Sequence, residues 1–404
     1  MLWRRGQGRA AGPLLAVCGA AVLLTACTTT VRGTASPPPT TEPTATESTT
    51  AAPTTPAIEV TPPPERGPGT ALEAHRIASV TALVPETFPE RTEGCGPYGP
   101  WLSAQELEDA YFTAGLAAPI LERWGFVAGW GQCNSEPDAG LATTTLVMEL
   151  SDPDSAEQAA LELTAAQQGE GYELTTVRGI PADVLVLEEG GEELLQVFVP
   201  TGRMVAYSFH RADPGTGAGQ IARLMDDQLA LLESFEPTPQ ADVPALPADP
   251  HGLAGYALRP PGEPTALSGP YDFEGYLRLA IDPIRERELL TANGFAGFYS
   301  NQTNEGDRSY AVALYTFPSS TQTNAVYEAF AELETAAYGG TAFDLPAIPA
   351  APCFVFPSGD TFFQRCYVGY GSYLASVDVG GLTAADDVAA MNQLLPAQRD
   401  LIDG

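Results

Sequence analysis

The sequence contains no lysine. All 19 basic residues are arginine, against 51 Asp and Glu, and there are only three histidines, so the net charge is −32. Proteins that bind nucleic acid neutralise its phosphates with Lys and Arg. A polyanion is a poor partner for nucleic acid and for anionic lipid headgroups alike. Also missing are a phosphate loop, a dinucleotide fingerprint, G-x-S-x-G and H-E-x-x-H. His75, His210 and His251 show no spacing of paired metal ligands or of a triad, and each reads as structural or surface. No catalytic residue, metal or cofactor is therefore expected, and the chain reads as a non-enzyme. Beyond residue 24 no apolar run approaches the about 20 residues that a membrane-spanning helix needs.

What is present at the N-terminus is a signal sequence. Arg4, Arg5 and Arg9 precede an apolar run from Ala10 to Leu24 that also holds Cys18. That pattern fits a signal-peptide n-region and h-region. The run ends in Leu24-Thr25-Ala26-Cys27, which resembles the lipobox of bacterial lipoproteins. The resemblance implies cleavage before Cys27, leaving residues 1–26 as signal peptide, and a diacylglyceryl group on the Cys27 thiol. Two acyl chains suffice for stable anchoring at about 0.8 kcal/mol per buried CH₂. The expected location is the extracytoplasmic face of the cell membrane, with the membrane as partner through Cys27. Loss of three arginines takes the net charge to −32 − 3 = −35.

Residues 27–69 are mostly Thr, Pro, Ser and Ala. So few large apolar residues cannot offset the entropy of ordering. The tract reads as a disordered tether reaching on the order of 100 Å in extended polyproline form, and its composition permits O-glycosylation. The remaining residues are enough for two domains, placed at 70–238 and 239–404.

Four further cysteines, Cys95, Cys133, Cys353 and Cys366, form an even set that reads as two disulfides in an exported chain. Three connectivities are open. Cys95–Cys133 with Cys353–Cys366 keeps one bridge in each half. The second has geometric support, because a two-residue turn at Gly359-Asp360 sets Cys353 opposite Cys366. A zinc site lacks nearby histidine and the right spacing.

The most informative internal feature is a duplication. Gly125-Phe126 recurs as Gly294-Phe295, an offset of 294 − 125 = 169, and the Gly190-Gly191 turn recurs as Gly359-Asp360, again 169. Alternating strands at 141–150 and 309–317 are each followed by a helical stretch, from Ser155 and from Asn324. A hairpin, one more strand and a closing helix complete each half, and a weaker helix opens it. Val184 and Val197 stand where Cys353 and Cys366 stand. Strands joined by short turns imply antiparallel pairing. The expected class is α+β, two tandem related domains, each an antiparallel sheet with helices packed on one face. The segment 237–250 is the expected linker.

LTAC followed by TTTVRGTA, ALEAHRIASVTALVPE opening the first half, DPHGLAGYALRP opening the second and the two Gly-Phe strands together resemble a family of two-domain actinobacterial lipoproteins of unknown function, common in mycobacteria and nocardias. The predominance of Arg, Ala, Gly and Pro suits a high-GC bacterium. The resemblance covers the mature chain and implies no catalytic residues. A more distant analogy is to the extracytoplasmic sensor domains of mycobacterial receptor kinases, also disulfide-bonded α+β units.

Other candidates have plainer readings. Glu188, Glu189, Glu192 and Glu193 flank a turn and read as a solvated hairpin tip, a cation site being the alternative. Asp152-Pro153 and Asp282-Pro283 read as helix starts. Trp124, Phe126, Trp130, Phe295, Phe298 and Tyr299 divide between core and a possible pocket lining. The function expected is binding of an envelope ligand or partner, with a cleft between the repeats as the favoured place. A carboxylate-type hydrolase and a structural or assembly factor are the alternatives.

Overall fold

The computed structural model describes residues 68–404 apart from Ala114, Asp138 and Ala139. The expected signal peptide, Cys27 and residues 28–67 of the expected tether lie outside the described residues, while Pro68 and Gly69, placed in the tether from sequence, begin the first helix.

The chain enters through α1 (Pro68–Ser79) and a short helix α2 (Val84–Thr87). The first repeat follows as β1 (Glu93–Gly94), β2 (Gly99–Trp101), α3 (Ala104–Tyr111), α4 (Ala118–Arg123), β3 (Ala128–Ser135), β4 (Ala142–Glu149), α5 (Pro153–Gly169), β5 (Glu173–Thr176), β6 (Asp183–Glu189), β7 (Glu192–Thr201), β8 (Met204–Ala212) and α6 (Gly217–Glu233). The second repeat runs β9 (Glu263–Pro264), β10 (Gly269–Tyr271), α7 (Phe273–Leu277), α8 (Pro283–Ala292), β11 (Gly297–Glu305), β12 (Arg308–Thr316), α9 (Ser320–Ala336), β13 (Thr341–Phe343), β14 (Cys353–Ser358), β15 (Thr361–Tyr370), β16 (Tyr373–Leu382) and α10 (Met391–Asp403).

Each repeat builds one eight-stranded antiparallel sheet. The first has the order β1-β3-β4-β8-β7-β6-β5 with β2 also on β3, and the second β10-β11-β12-β16-β15-β14-β13 with β9 also on β11. Adding eight to a strand number converts the central path of one sheet into the other, so the duplication seen in sequence is a duplication of topology. The weak opening helix of each half is two helices, interrupted between α3 and α4 in the first and between α7 and α8 in the second, with Pro119 and Pro283 in the first turn of α4 and α8. Asp152 and Asp282 cap their helices by accepting the amide N–H of Ser155 and Arg285. The closing helix of the second repeat starts only at Met391, after an irregular stretch of bends and turns.

The α+β class and the two tandem sheets stand, but the helices are not confined to one face. In β7 and β8 one parity (Phe198, Val205, Tyr207) packs with Ala159 and Leu163 of α5, and the other (Val197, Val199, Ala206) packs with Ile221 and Met225 of α6. The second sheet repeats this, with Val326 and Phe330 of α9 on one face and Leu395 and Ile402 of α10 on the other. Both faces are apolar, so each must be covered.

The repeats pack head to tail. The α6 face of the first and the α7–α9 face of the second contribute to one continuous core. Helix α1 lies in that core: Leu72, Ala74, His75, Ile77 and Ala78 are all buried, which is the pattern of a helix covered on more than one side. It touches β3 of the first sheet and α7 and β10 of the second repeat. Polar contacts cross the junction as well. His75 Nε2 bonds the Ala266 carbonyl at 2.8 Å, its ring stacks on Tyr271 at 4.0 Å, Ser79 donates to Asp272, and Arg278 donates to the Thr81 carbonyl.

The segment expected to be a linker is packed down. Thr238 donates to Glu73 of α1, and a Cβ on Gly69 would lie 1.9 Å from the Val243 carbonyl oxygen. Only glycine allows that approach.

Candidate functional site

Two concave sites occur at related places in the two repeats. The related positions are fixed by caps and register. Gln167 lies fifteen residues beyond the α5 cap Asp152 (167 − 152), as Glu334 does beyond the α9 cap Ser319 (334 − 319). Gln196 pairs with Phe209 across β7 and β8, as Arg365 pairs with Asp378 across β15 and β16. Gln167 and Gln196 thus correspond to Glu334 and Arg365, and Phe209 to Asp378.

In the first repeat the set is neutral. Gln196 donates to Gln167 at 3.4 Å and accepts from the Tyr207 hydroxyl at 3.2 Å. These side chains, Phe209, Tyr111 and Tyr172 line a hollow of about 500 Å³ beside the Cys95–Cys133 disulfide.

In the second repeat the same positions carry buried charge. Arg365 donates from Nε and Nη2 to the two oxygens of Asp378 at 2.8 and 3.0 Å, and from Nη1 to Glu334 Oε1 at 3.0 Å. The Tyr367 hydroxyl also donates to Glu334 Oε1. Glu334 Oε2 is buried and has no partner. Burial pushes the Glu334 carboxyl up to about 8, against the Tyr367 hydroxyl, and nearby Asp378 and Glu286 add to the rise. Burial also raises Asp378, in spite of Arg365. Burial disfavours the Arg365 charge, but Asp378 and Tyr367 hold its pKa above the ordinary value.

Behind this group lies Glu286 of α8. It accepts from the Tyr276 and Tyr338 hydroxyls and from the Ile281 amide, and burial pushes it up to about 7.

Glu334 and Arg365 lie at the base of a cleft of about 680 Å³. Pro85, Pro89 and Thr92, which lead into the first repeat, form one wall with Glu93 and Gly94 of β1, and Ile281, Ile284, Phe356 and Phe363 of the second repeat form the other. Glu286 does not line it. The cleft lies between the repeats because the second repeat turns this face toward the first, whereas the corresponding face of the first repeat points away.

The residues singled out from sequence fall elsewhere. Trp124, Phe126, Trp130 and Phe298 are buried core, Phe295 and Tyr299 pack against it, and none lines either hollow. At the acidic hairpin tip Glu192 pairs with Arg211, and Glu193 accepts the amides of Gly215 and Gly217. Among the described residues no group of three or more His, Cys, Asp or Glu is placed to hold a metal. His210 is buried against Gln220, Thr143 and Arg91. Cys353 faces Cys366 across the β14–β15 hairpin and the two are bonded.

Residues 60–248 match the family described as "Domain of unknown function (DUF7373) N-terminal". The second repeat lies beyond that match. No curated protein matches the chain significantly. Among solved structures, the extracellular domain of PknH from Mycobacterium tuberculosis resembles 39% of this chain and 96% of that one, at 15% identity and a TM-score of 0.29. The two disulfides fit an extracytoplasmic protein, and among the described residues no helix is long and apolar enough to cross a membrane.

The buried titratable groups set an unusual pH dependence. Burial pushes His75 and His210 down to about 4 from 6.5. Unfolded imidazoles take up protons below 6.5 that the folded ones refuse until about 4, so stability falls on acidification through that window. Glu286 and Glu334 act in the opposite sense: raised from 4.5 to about 7 and about 8, they hold protons when folded, and that stability is lost as pH rises. The two pairs offset each other between 4.5 and 6.5. Above 6.5 only the carboxyls titrate, Glu286 to about 7 and Glu334 to about 8, a loss of about 3 kcal/mol at 1.36 kcal/mol per pH unit. Urea unfolding at pH 5.5, 6.5 and 8 should show a plateau and then this fall. A rise toward pH 8 would mean that Glu334 is already ionised in the fold.

Proposed function

We propose that this chain is a lipid-anchored protein of the cell envelope that binds a small ligand, without turning it over, in the cleft between its repeats. The observation that carries the reading is the cleft itself: about 680 Å³, walled by both repeats, with the unpartnered Glu334 Oε2 at its base. Interfaces between packed units are preferred places for ligand sites, and a few convergent polar groups in an apolar setting fix orientation. Binding rather than acid–base chemistry is supported by the placement of the carboxyls. Glu286 has both oxygens engaged and sits outside the lining, and of the acids on the lining Glu334 is the buried one, whereas Asp282 caps α8 and pairs with Arg285 and Glu93 is exposed.

Anchoring through Cys27 rests on the Leu24-Thr25-Ala26-Cys27 motif. With the 27–69 tether, it would hold the acidic repeats clear of the bilayer. Cys27→Ala should move the protein from the membrane fraction to the soluble fraction. A mutant that stays with membranes would refute the anchor.

The cleft is tested with Ala336→Trp. Ala336 is exposed and on the cleft lining, so the larger side chain fills the space without entering the core. A ligand present at 100 times its Kd stabilises the native state by about 2.7 kcal/mol. Envelope lipids, glycans and peptides should be screened by thermal shift. At least one class should raise the Tm of the parent protein and not of the mutant. Equal shifts in both would place binding elsewhere.

A further inference from the structure

The donor inventory of the cleft base restricts what it can hold. Among the described residues Arg365 is the cation at the base, and three of its five N–H groups are given to Asp378 and Glu334. An anion entering the cleft would meet a guanidinium whose charge Asp378 already balances, and would have the Glu334 carboxyl beside it. Nearer the mouth are Glu93, Asp282 and Arg285, and Arg285 is paired with Asp282. The unmet valence is the carboxyl oxygen Oε2 of Glu334, on a side chain only 1% exposed. Above it the walls are Ile281, Ile284, Phe356 and Phe363, which suit an apolar body, and Arg365 itself lies over the Phe363 ring at 5.2 Å.

We infer that the ligand of this cleft is an organic cation with an apolar body, whose ammonium or guanidinium group pairs with Glu334 Oε2. This rests on the cleft reading above and narrows it to a chemical class. The first repeat offers the contrast, since its corresponding hollow has Gln167 and Gln196 and no buried carboxylate.

The groups facing Glu334 are Arg365 and Tyr367 on β15, Asp378 on β16, Tyr315 on β12, Glu286 on α8 and Tyr338 just beyond α9. Burial, and after it the neighbouring Asp378 and Glu286, disfavour a charge on Glu334, so an empty site keeps it protonated near neutrality. A bound cation removes that proton. Binding is therefore linked to proton release and strengthens as pH rises through about 8.

The test is calorimetry on the intact chain with hexylammonium, hexanol and hexanoate. An alkylammonium stays charged in this range, as lysine does. Hexylammonium should bind best, release about one proton at pH 6.5, and bind roughly 20-fold more tightly at pH 8.5 than at 6.5. Glu334→Gln, which keeps the shape and the Oε1 acceptor, should weaken it at least about tenfold and remove the pH dependence. Hexanol binding as well as hexylammonium, and weakening with pH, would overturn the cation inference, with Glu334 then acting as an O–H donor. So would preferred binding of hexanoate. In either case loss of binding in Ala336→Trp would leave the cleft reading intact. Binding of none of the three probes would overturn both.

Discussion

Arg365→Gln should destabilise the protein by about 3–5 kcal/mol, because it leaves Asp378 buried without its counter-charge and Glu334 without the guanidinium donor. Asp378 is 2% exposed and Glu334 1%, so water cannot replace the guanidinium. The triple variant Glu334→Gln, Arg365→Gln, Asp378→Phe should regain most of that loss and end within about 1 kcal/mol of the parent or above it. It installs the residues that the first repeat already carries at the same register, Gln167, Gln196 and Phe209, where Gln196 bonds Gln167 and Tyr207. Urea titrations of the parent, single and triple variants decide the matter. If the triple variant is as unstable as the single, the two positions are not equivalent environments, and the comparison between repeats fails. If it recovers, the fold does not require its buried charges. One copy of a duplicated site has then acquired an ion group that costs desolvation and gives no net stability. That is the expected situation when the group meets a ligand.

Much of this architecture was legible in sequence and some of it was not, for reasons that differ by element. The hairpins could be read because Gly190-Gly191 and Gly359-Asp360 permit two-residue turns, and such a turn fixes the partner of every residue beside it. Cys353 opposite Cys366 follows from that count alone. Coverage of both sheet faces left a trace that alternation arguments overlook: Leu194, Leu195, Val197, Phe198 and Val199 form a nearly continuous apolar run, the mark of a strand covered on two sides. Gly-Pro followed by an aromatic residue, at 99–101 and again at 269–271, marks β2 and β10 in both repeats and was a second available sign of the duplication. The candidate site left almost no sign. Glu334 and Arg365 look like ordinary solvated charges on a helix and a strand, and their burial depends on contacts between elements distant in sequence. Only an alignment of the repeats, with Gln167 over Glu334 and Gln196 over Arg365, shows charge replacing amide at two touching positions.

Helix α1 gives the other large effect, because the two repeats share it. Ile77 is fully buried in the core that joins them. Ile77→Asp removes its apolar burial, about 2–5 kcal/mol in comparable truncations, and puts an unpaired carboxylate among apolar groups. A total loss of at least about 5 kcal/mol is expected, comparable to the whole stability of many domains. Ile77→Val should cost only about 1 kcal/mol. Because α1 packs on β3 of one repeat and on α7 and β10 of the other, both repeats should lose stability together. The tryptophans allow this to be read separately. Trp101, Trp124 and Trp130 all lie in the first repeat and residues 239–404 contain no tryptophan, so a change in their emission reports the first repeat. Amide hydrogen exchange in β12 and β16 reports the second. In the parent the two probes should give coincident transitions, and in Ile77→Asp both should shift. If tryptophan emission shifted while exchange in the second sheet stayed protected, the repeats would be independent units with a loose junction. The cleft between them would then lack the fixed walls on which ligand selection depends. Coincident loss would mean that a helix preceding the first sheet holds the site in the second repeat in its working shape.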